Sequence, residues 1–471
     1  MSTRIEKARP GLSEKQRIRF QGRIAFVASG GKFCDGWILA VIGVVLPLSS
    51  ATLGMTPMQE GLIGSAALIG LFIGGLVFGR VADKIGRKRV FLGTLLVFLI
   101  GSMLQIFVLA ATQLFILRLL MGLAIGADYA IAGSLIAEFA SKDRRGPYLA
   151  GLITWWYAGF AFAATAALVA LAIFGQSEMI WRLMLASSAV PALVMLIARL
   201  GIPESPRWLM SRGRREEAEQ LAEKYLTKDV RQDLCQEAPA SSTSFTRLFS
   251  KENIRKTAFT SIFWMAQVTP FFAIYTFLPN VLDGLNLNLD GYWAEVVLYA
   301  FLFIGSAVGT LNVNRIGRRR LLIVPFIITA ITMLILGVWT SAPAAVVITC
   351  FLAFALLNSA SGVLQMLYPS EIFSTDIRAT GVGFAAAMSR VGAAVGTFLL
   401  PIVLNSWGVG SVMLISAGIL LVGLWVSWLW APETTNQELT IATQAVPTVE
   451  SRGAEAASDS GASKVSTRTR A

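Results

Sequence analysis

Apolar residues along this chain occur in long runs that short polar segments separate. A helix needs about 20 apolar residues to cross the hydrocarbon core of a bilayer, and many of these runs reach that length. The runs predict twelve transmembrane helices, at 24–48, 60–79, 90–110, 113–137, 148–174, 179–201, 257–281, 292–311, 321–341, 343–367, 380–404 and 409–431. The chain is therefore expected to be an all-α membrane protein.

Short motifs in the polar segments occur twice, about 230 residues apart. The motifs are GRVADKIGRKR at 79–89 with NRIGRRR at 314–320, EFASKDRR at 138–145 with EIFSTDIR at 371–378, and PES at 203–205 with PET at 432–434. A constant internal offset of this kind indicates a duplicated unit. We therefore expect two pseudo-symmetric halves of six helices each.

The remaining polar segments set the predicted domain boundaries. The expected order is a cytoplasmic N-terminus, an N-terminal bundle, a cytoplasmic linker, a C-terminal bundle and a disordered cytoplasmic tail, at 1–23, 24–202, 203–256, 257–431 and 432–471. In the linker, charged and apolar residues alternate over 216–225 and predict a short amphipathic helix. The tail is rich in Ala, Ser, Thr and Glu and has no periodicity, which is typical of a disordered segment.

Basic residues lie in every second polar segment. The segments expected on the external side contain no Lys or Arg; they are 50–59, 111–113, 175–178, 282–291, 342 and 405–408. This alternation follows the positive-inside rule and places both termini in the cytoplasm. The formal net charge of +12 therefore orients a multi-pass protein in the plasma membrane (the inner membrane in a bacterium). It does not indicate a nucleic-acid partner.

The residue types that usually carry catalysis are scarce. The chain has no histidine, and Cys34, Cys235 and Cys350 lie far apart in the sequence. This pattern suggests neither a disulfide framework nor a metal site, and it excludes His-based acid–base catalysis. A Walker-type phosphate loop is also missing from the sequence. We expect no enzyme, no cofactor and no metal.

Charged residues inside the predicted helices are the candidates for function. Each costs roughly 2.5–3.5 kcal/mol near a helix centre, so it is expected to face a water-filled cavity or another charge. The five are Lys32, Asp35, Arg118, Asp128 and Arg390.

Two of these charges leave alternatives open. Asp35 is either a proton-carrying carboxyl or one half of a fixed ion pair with Lys32, which lies three residues away. Asp128 either binds a solute or pairs with Arg118. The ten residues between them put these two side chains roughly 80° apart around a helix, which argues against direct contact.

A few uncharged side chains are further candidates for solute contacts. Trp155, together with Trp156 and Tyr157, could stack on a ring-bearing solute or only fill the helix packing. Gln267 and Tyr275 lie eight residues apart, share a helix face and could offer hydrogen bonds to a solute.

The loop motifs and the two sets of six helices resemble the major facilitator superfamily. GRVADKIGRKR is similar to its loop 2–3 signature, and PESPRWL at 203–209 to the signature after helix 6 of the sugar-porter branch. The residues that match the helix-4 and sugar-transport motifs are Leu114, Arg118, Gly122, Gly126, Leu135, Glu138 and Arg145. The resemblance covers about 23–435 and implies the major facilitator fold.

In this superfamily a loop aspartate and its neighbouring arginines help to latch the cytoplasmic ends of the helices. The resemblance therefore implies a cytoplasmic gate formed by Gly79, Asp83, Gly86, Arg87, Glu138, Arg145, Arg318, Glu371 and Arg378. The second copy has Asn314 where the first has Asp83, so the latch is expected to be weaker in the C-terminal half.

The resemblance also bears on the solute. Sugar porters usually carry a Gln-Gln pair and an Asn in helix 7, whereas this chain has only Gln267 there. CDGWILAVIGVVLP at 34–47 and YPSEIFSTDIRATGVGF at 368–384 are more similar to metabolite:proton symporters and organic-ion transporters. Arg390-Val391-Gly392 resembles a helix-11 pattern that contacts the anion in organic-anion members. A purely structural pairing of Arg390 remains an alternative.

The sequence thus predicts a monomeric secondary transporter in the lipid bilayer. It is expected to move a small organic solute, with an organic acid favoured, together with protons by alternating access. A sugar:proton symporter and a facilitative sugar uniporter are the alternatives. A transporter-like nutrient sensor is a different class of function, but the linker and the tail are too short for a large regulatory domain.

Overall fold

The computed structural model describes residues 12–227, 230–231, 245–285, 293–374 and 377–434. Within these residues the regular elements are all helices. They are α1 (Glu14–Leu53), α2 (Pro57–Ile85), α3 (Arg87–Leu104), α4 (Ala111–Phe139), α5 (Lys142–Phe174), α6 (Glu178–Ala186), α7 (Ala189–Arg199), α8 (Pro206–Ser211), α9 (Arg215–Tyr225), α10 (Ile254–Thr276), α11 (Leu278–Gly284), α12 (Trp293–Ile316), α13 (Arg318–Val338), α14 (Ala344–Gly362), α15 (Leu364–Ile372) and α16 (Arg378–Trp430), with 3₁₀ turns at Gln105–Phe107 and Phe245–Phe249. From residue 435 onward, the predicted tail lies outside the described residues.

The described helices form the twelve membrane crossings that the apolar runs predict. Eleven stretches are long and apolar enough to span a bilayer, and the last of them, Thr380–Trp430, is 51 residues long. Its backbone is non-helical at Gly408, where φ is 77° and ψ is 172°. A positive φ of this kind is costly for other residues, so the glycine lets two membrane helices meet there. All-α architecture and multiple membrane passes are thereby confirmed.

Helix α1 begins ten residues earlier than the predicted start at residue 24. The side-chain oxygen of Gln16 accepts a hydrogen bond from the backbone N–H of Ser13 (2.9 Å) and closes the first turn. The ring of Phe20 then stacks on Tyr225 of α9, with ring centroids 4.2 Å apart. Helix α9 is the predicted amphipathic linker helix, and packing against it stabilises the polar start of α1.

Glycines allow a close crossing in the equivalent helix pair of each half, α2 with α4 and α12 with α14. On α4, a Cβ added at Gly122 or Gly126 would lie 2.2 or 2.4 Å from a carbonyl oxygen of α2. On α12, a Cβ at Gly305 or Gly309 would lie 2.2 Å from a carbonyl oxygen of α14. Gly133, the third glycine of the α4 series, faces open space. The repeat in sequence is therefore also a repeat in packing.

We call the side of the molecule with the loops at Gly86 and Gly317 the basic end, and the other side the opposite end. The halves contact each other tightly near the opposite end, where a Cβ added at Gly61 would lie 2.3 Å from the Phe398 carbonyl oxygen. They also meet through the hydroxyls of Thr154 on α5 and Thr310 on α12, 2.7 Å apart. Between these contacts the halves enclose a cavity.

Candidate functional site

A narrow, partly open cavity lies between the two halves, with about 280 Å³ of space between atoms, including the part that is open to solvent. Residues of both halves line it: Tyr129, Ile153, Trp156 and Tyr157 from the N-terminal half, and Val268, Phe271, Phe272, Gln365 and Arg390 from the C-terminal half. Most of this wall is aromatic, and it contains one cation and one amide. Solute sites of twelve-helix transporters occupy this position, between the repeats and near the middle of the membrane.

Arg390 is the charged group of the cavity wall. Its guanidinium lies over the rings of Tyr129 and Phe272, with the central carbon 5.1 and 5.6 Å from the ring centroids. The residue is 2% exposed, its Nε has no hydrogen-bond partner, and among the described residues no carboxylate pairs with it. Burying a cation without a counter-ion costs free energy, and an anion bound in the cavity would offset that cost.

Four buried charges form a network in the N-terminal half. The ammonium of Lys32 lies 2.8 Å from a carboxylate oxygen of Asp35 and 3.4 Å from one of Asp128. Asp128 also receives the guanidinium of Arg199 at 2.8 Å. All four side chains are fully buried. The two positive and two negative charges compensate each other, which lowers the free-energy cost of burying them.

Arg199 is a member of this network that the sequence analysis did not select. It is the last residue of α7, and it also donates a 2.7 Å hydrogen bond to the Phe91 carbonyl oxygen. Gly31 makes room for it, because a Cβ there would lie 2.0 Å from Arg199 Nη2 and 2.8 Å from both Asp128 oxygens. The glycine next to Lys32 was the available sequence signal, because a glycine permits close approach of other side chains.

Arg118 lies outside both the network and the cavity wall. It is fully buried, and its Nη1 donates to the Ile38 carbonyl oxygen of α1 at 2.8 Å. Asp128 pairs with Lys32 and Arg199 instead. The direct pairing of Arg118 with Asp128 that the sequence left open is therefore wrong for this conformation.

Tyr129 connects the charge network to the cavity. Its ring lines the cavity, and Lys32 Nζ lies 3.2 Å from the ring centroid. Arg390 from the other half lies over the same ring. Cation–π contacts of desolvated groups are worth about 2 kcal/mol or more, so this ring is attractive to both cations.

Trp155 does not line the cavity. It is 39% exposed and contacts Phe26 and Phe33 edge to face, at 5.7 and 6.2 Å, on the outer side of α5. The next two residues, Trp156 and Tyr157, form the cavity wall instead. A solute contact by Trp155 therefore stays a prediction, and in this conformation its two neighbours are the aromatic residues at the cavity.

Gln267 and Tyr275 also lie outside the cavity wall. The Gln267 amide donates to Ser361 Oγ (2.6 Å) and accepts from the Gln365 amide (2.9 Å), so it joins α10 to the tenth membrane crossing. Tyr275 is buried in aromatic packing and stacks on Phe271, with ring centroids 5.0 Å apart. In this conformation Gln365, which the sequence analysis did not select, is the amide at the cavity.

Two of the predicted gate residues, Arg87 and Glu138, belong to a compact cluster of contacts at the basic end of the N-terminal half, which we call its latch. Arg87, at the start of α3, pairs with Glu138 of α4. The Ser205 hydroxyl donates to the same carboxylate. Glu204, from the PES motif, accepts from the backbone N–H of Lys88 at 3.1 Å.

The C-terminal half repeats this latch with different residues. Arg318 pairs with Glu371 at 2.7 Å, and the Thr434 hydroxyl donates to the same carboxylate at 2.5 Å. Glu433, from the PET motif, accepts from the backbone N–H groups of Arg318 and Arg319 at 3.0 and 3.1 Å. Asn314 accepts from Arg318 Nη1 at 2.8 Å, in the place where the first copy has an aspartate.

Glycine backbones complete both latches. Gly86 and Gly317 have φ of 105° and 87°, and an added Cβ would lie 2.6 and 2.8 Å from a glutamate oxygen of the latch. Each latch therefore ties helix ends within one half. Of the remaining gate candidates, Gly79 has open space around it, and Arg378 Nε donates to the Phe373 carbonyl oxygen at 3.2 Å. The side chains of Asp83 and Arg145 lie outside the described part of the structure.

Two repeated six-helix halves around a central cavity define a solute transporter of the major facilitator superfamily. The sequence model "Sugar (and other) transporter" matches residues 24–445, and the chain belongs to that family. This family is one of membrane transporters, so the prediction of a transporter rather than an enzyme is confirmed.

The chain is similar to bacterial transport proteins over most of its length. It is 38% identical over 418 residues to the inner membrane metabolite transport protein YgcS of Escherichia coli (strain K12), covering 88% of this chain and 92% of that one. It is 27% identical over 381 residues to the niacin transporter NiaP of Acinetobacter baylyi, covering 79% of this chain and 85% of that one.

A solved structure shows the same fold. The proton:xylose symporter XylE of E. coli superposes with a TM-score of 0.76 at 21% identity, covering 92% of this chain and all of that one. This similarity concerns the architecture, and the solute has to be argued from the cavity.

Proposed function

We propose that this protein carries a small organic acid, as its anion, together with protons across the plasma membrane. The observation that carries the proposal is Arg390, a buried cation in the cavity wall without a carboxylate partner among the described residues. A solute carboxylate would supply the missing counter-ion and accept charge-assisted hydrogen bonds from the guanidinium. A neutral solute would leave the charge unbalanced.

The other cavity residues suggest a planar solute. Five of the nine lining side chains are aromatic, and Gln365 adds one amide. A sugar needs hydrogen-bond partners around most of its ring, whereas an aromatic acid needs flat apolar walls and one cation. The niacin transporter among the relatives carries a compound of this second kind, an aromatic carboxylic acid.

The N-terminal charge network is the proposed site of proton binding. Asp35 Oδ1 is buried and has no hydrogen-bond partner, while Oδ2 pairs with Lys32. A proton on Asp35 would weaken that pair and release Lys32, which is how a carboxyl can couple protonation to a conformational change. The proposed orientation places the basic end in the cytoplasm, where the two latches would hold the helix ends of a monomeric carrier.

Proteoliposome uptake tests this proposal. The solutes are benzoate, nicotinate and 3,4-dihydroxybenzoate, each measured beside its primary amide and beside xylose, with protein-free liposomes as the baseline. We expect at least one acid to accumulate when the outside is more acidic, and Asp35→Asn to remove the effect of the gradient. Accumulation of xylose without any acid would favour a sugar carrier. Acid uptake that ignores both the gradient and Asp35→Asn would favour a uniporter.

A further inference from the structure

We infer that Tyr129 is a positioning residue that couples proton binding in one half to anion binding in the other, with one proton taken up per monovalent anion. This inference rests on the proposed function, because it assumes that Arg390 binds the anion and that Asp35 binds the proton. It goes further because it identifies the residue that connects the two binding sites and gives the number of protons bound per anion.

One ring contacts both cations that take part in the two binding events. Tyr129 lies on α4 of the N-terminal half, and Lys32 of α1 lies over its ring at 3.2 Å. Arg390, on α16 of the C-terminal half, lies over the same ring at 5.1 Å. Lys32 is also the direct ion-pair partner of Asp35, at 2.8 Å. Asp35, Lys32, Tyr129 and Arg390 thus form one continuous chain of contacts across the interface between the halves.

The charges around this chain of contacts determine the sign of the coupling. The charged groups that face Asp35 are Lys32 from its own helix, Asp128 from α4 and Arg199 from α7. Cys34 and Tyr129 are the other titratable groups that interact with Asp35. With Arg390 added, three cations and two carboxylates give a sum of +1. A proton on Asp35 raises the sum to +2, and one monovalent anion at Arg390 restores it to +1.

Proton binding and anion binding should therefore favour each other. Lys32 and Arg390 lie 3.2 and 5.1 Å from the centroid of the same ring, and charges this near to each other in a poorly hydrated interior repel strongly, so an unbalanced second positive charge is costly. Coupling of this kind is reciprocal, because a proton that increases the affinity for the anion is itself bound more tightly when the anion is present. The transported pair is electroneutral.

The Tyr129 ring has a specific part in this coupling. Its negatively polarised face attracts both cations, keeps them at a fixed separation and reduces their repulsion. When Asp35 takes a proton, Lys32 loses one counter-ion and its charge acts more strongly on Arg390, which contacts the same ring. A leucine would fill similar space without this face, while a phenylalanine would keep the face and lose only the hydroxyl.

Calorimetry on the purified full-length protein tests the inference. The acid from the uptake panel that binds best is titrated into protein at one pH in two buffers of different ionisation enthalpy, and the difference gives the protons taken up per anion. We expect about one proton for the unmodified protein and for Tyr129→Phe. For Tyr129→Leu we expect about 0.3 protons or fewer, with the affinity reduced by less than about tenfold.

The possible results distinguish a failure of the inference from a failure of the proposed function. If no acid binds the unmodified protein, the proposed function is wrong and the inference falls with it. If an acid binds without proton uptake, the inference is wrong while the anion site stands. If Tyr129→Leu keeps the full proton uptake, the ring is not the link. Tyr129→Phe shows whether a loss in Tyr129→Leu comes from the missing ring face rather than from misfolding.

Discussion

The two halves of this transporter are alike at their basic ends and different at their centres. Both ends use an arginine–glutamate pair and a second glutamate that accepts backbone N–H groups beside a positive-φ glycine. The N-terminal centre contains a closed network of four charges, and Arg118 lies apart from it without a carboxylate partner among the described residues. The C-terminal centre has neutral amides and one cation without a carboxylate partner among the described residues.

This contrast separates two requirements of a carrier. Holding helix ends together is the same task in both halves, so duplicated residues can perform it. Under the proposed function, proton binding and anion binding are different tasks, and they need a titratable carboxyl in one place and a cation without a counter-ion in another. We therefore expect changes at the centre to have unlike effects in the two halves, and changes at the latches to have similar ones.

The largest difference is expected between Asp128→Asn and Gln267→Met. Asp128→Asn leaves Lys32 and Arg199 without one shared counter-ion, which should lower the free energy of unfolding by about 3–5 kcal/mol. Gln267→Met removes neutral hydrogen bonds at similar volume and should cost about 1–3 kcal/mol. Thermal unfolding of the detergent-solubilised proteins measures both. Equal losses would contradict the distinction between a charged and a neutral centre.

A second prediction concerns the space that the charge network needs. Gly31→Ala places a methyl group against Arg199 and Asp128, and it should destabilise the protein by about 1–3 kcal/mol. Gly133→Ala is the matched control, because its Cβ would enter open space in a helix. The control should be neutral or stabilising by up to about 1 kcal/mol. If the two variants unfold at the same temperature, the network does not require the close approach at Gly31.

The smallest expected effects are at the latches. Glu204→Gln and Glu433→Gln each weaken charge-assisted hydrogen bonds to backbone N–H groups, and each should cost about 1 kcal/mol. Glu217→Gln is the control, since its exposed ion pair with Arg214, the residue before α9, should contribute little. Two similar shifts in melting temperature would support the repeated latch. A loss confined to one half would show that the latches are not equivalent.

The fold could be predicted because the sequence features that indicate it extend over many residues and agree with one another. Apolar runs of membrane length and motifs repeated at one offset fixed the number of helices and their grouping. The N-terminal extension of α1 was missed because Phe20 is stabilised by a contact with Tyr225, which is distant in the chain. A hydropathy pattern contains no information about such a contact.

The site was only partly predictable, because hydropathy does not determine how a helix is rotated about its axis and therefore which side chains face the cavity. Trp155 and Trp156 are neighbours, and successive residues point about 100° apart, so only the packing of α5 decides which ring faces the cavity. Arg199 was missed for another reason. An arginine at the basic end of a membrane helix already satisfies the positive-inside rule, so nothing in the sequence distinguished a buried network member from an orienting charge.

The central claim is that Arg390 selects an anion. Its most direct test is equilibrium binding of the aromatic acids and their primary amides to purified unmodified protein and to Arg390→Gln. We predict that the unmodified protein binds its best acid at least about tenfold more tightly than the matching amide, and that Arg390→Gln removes this preference. A preference for the acid that survives in Arg390→Gln, or an unmodified protein that does not distinguish acid from amide, would contradict the account.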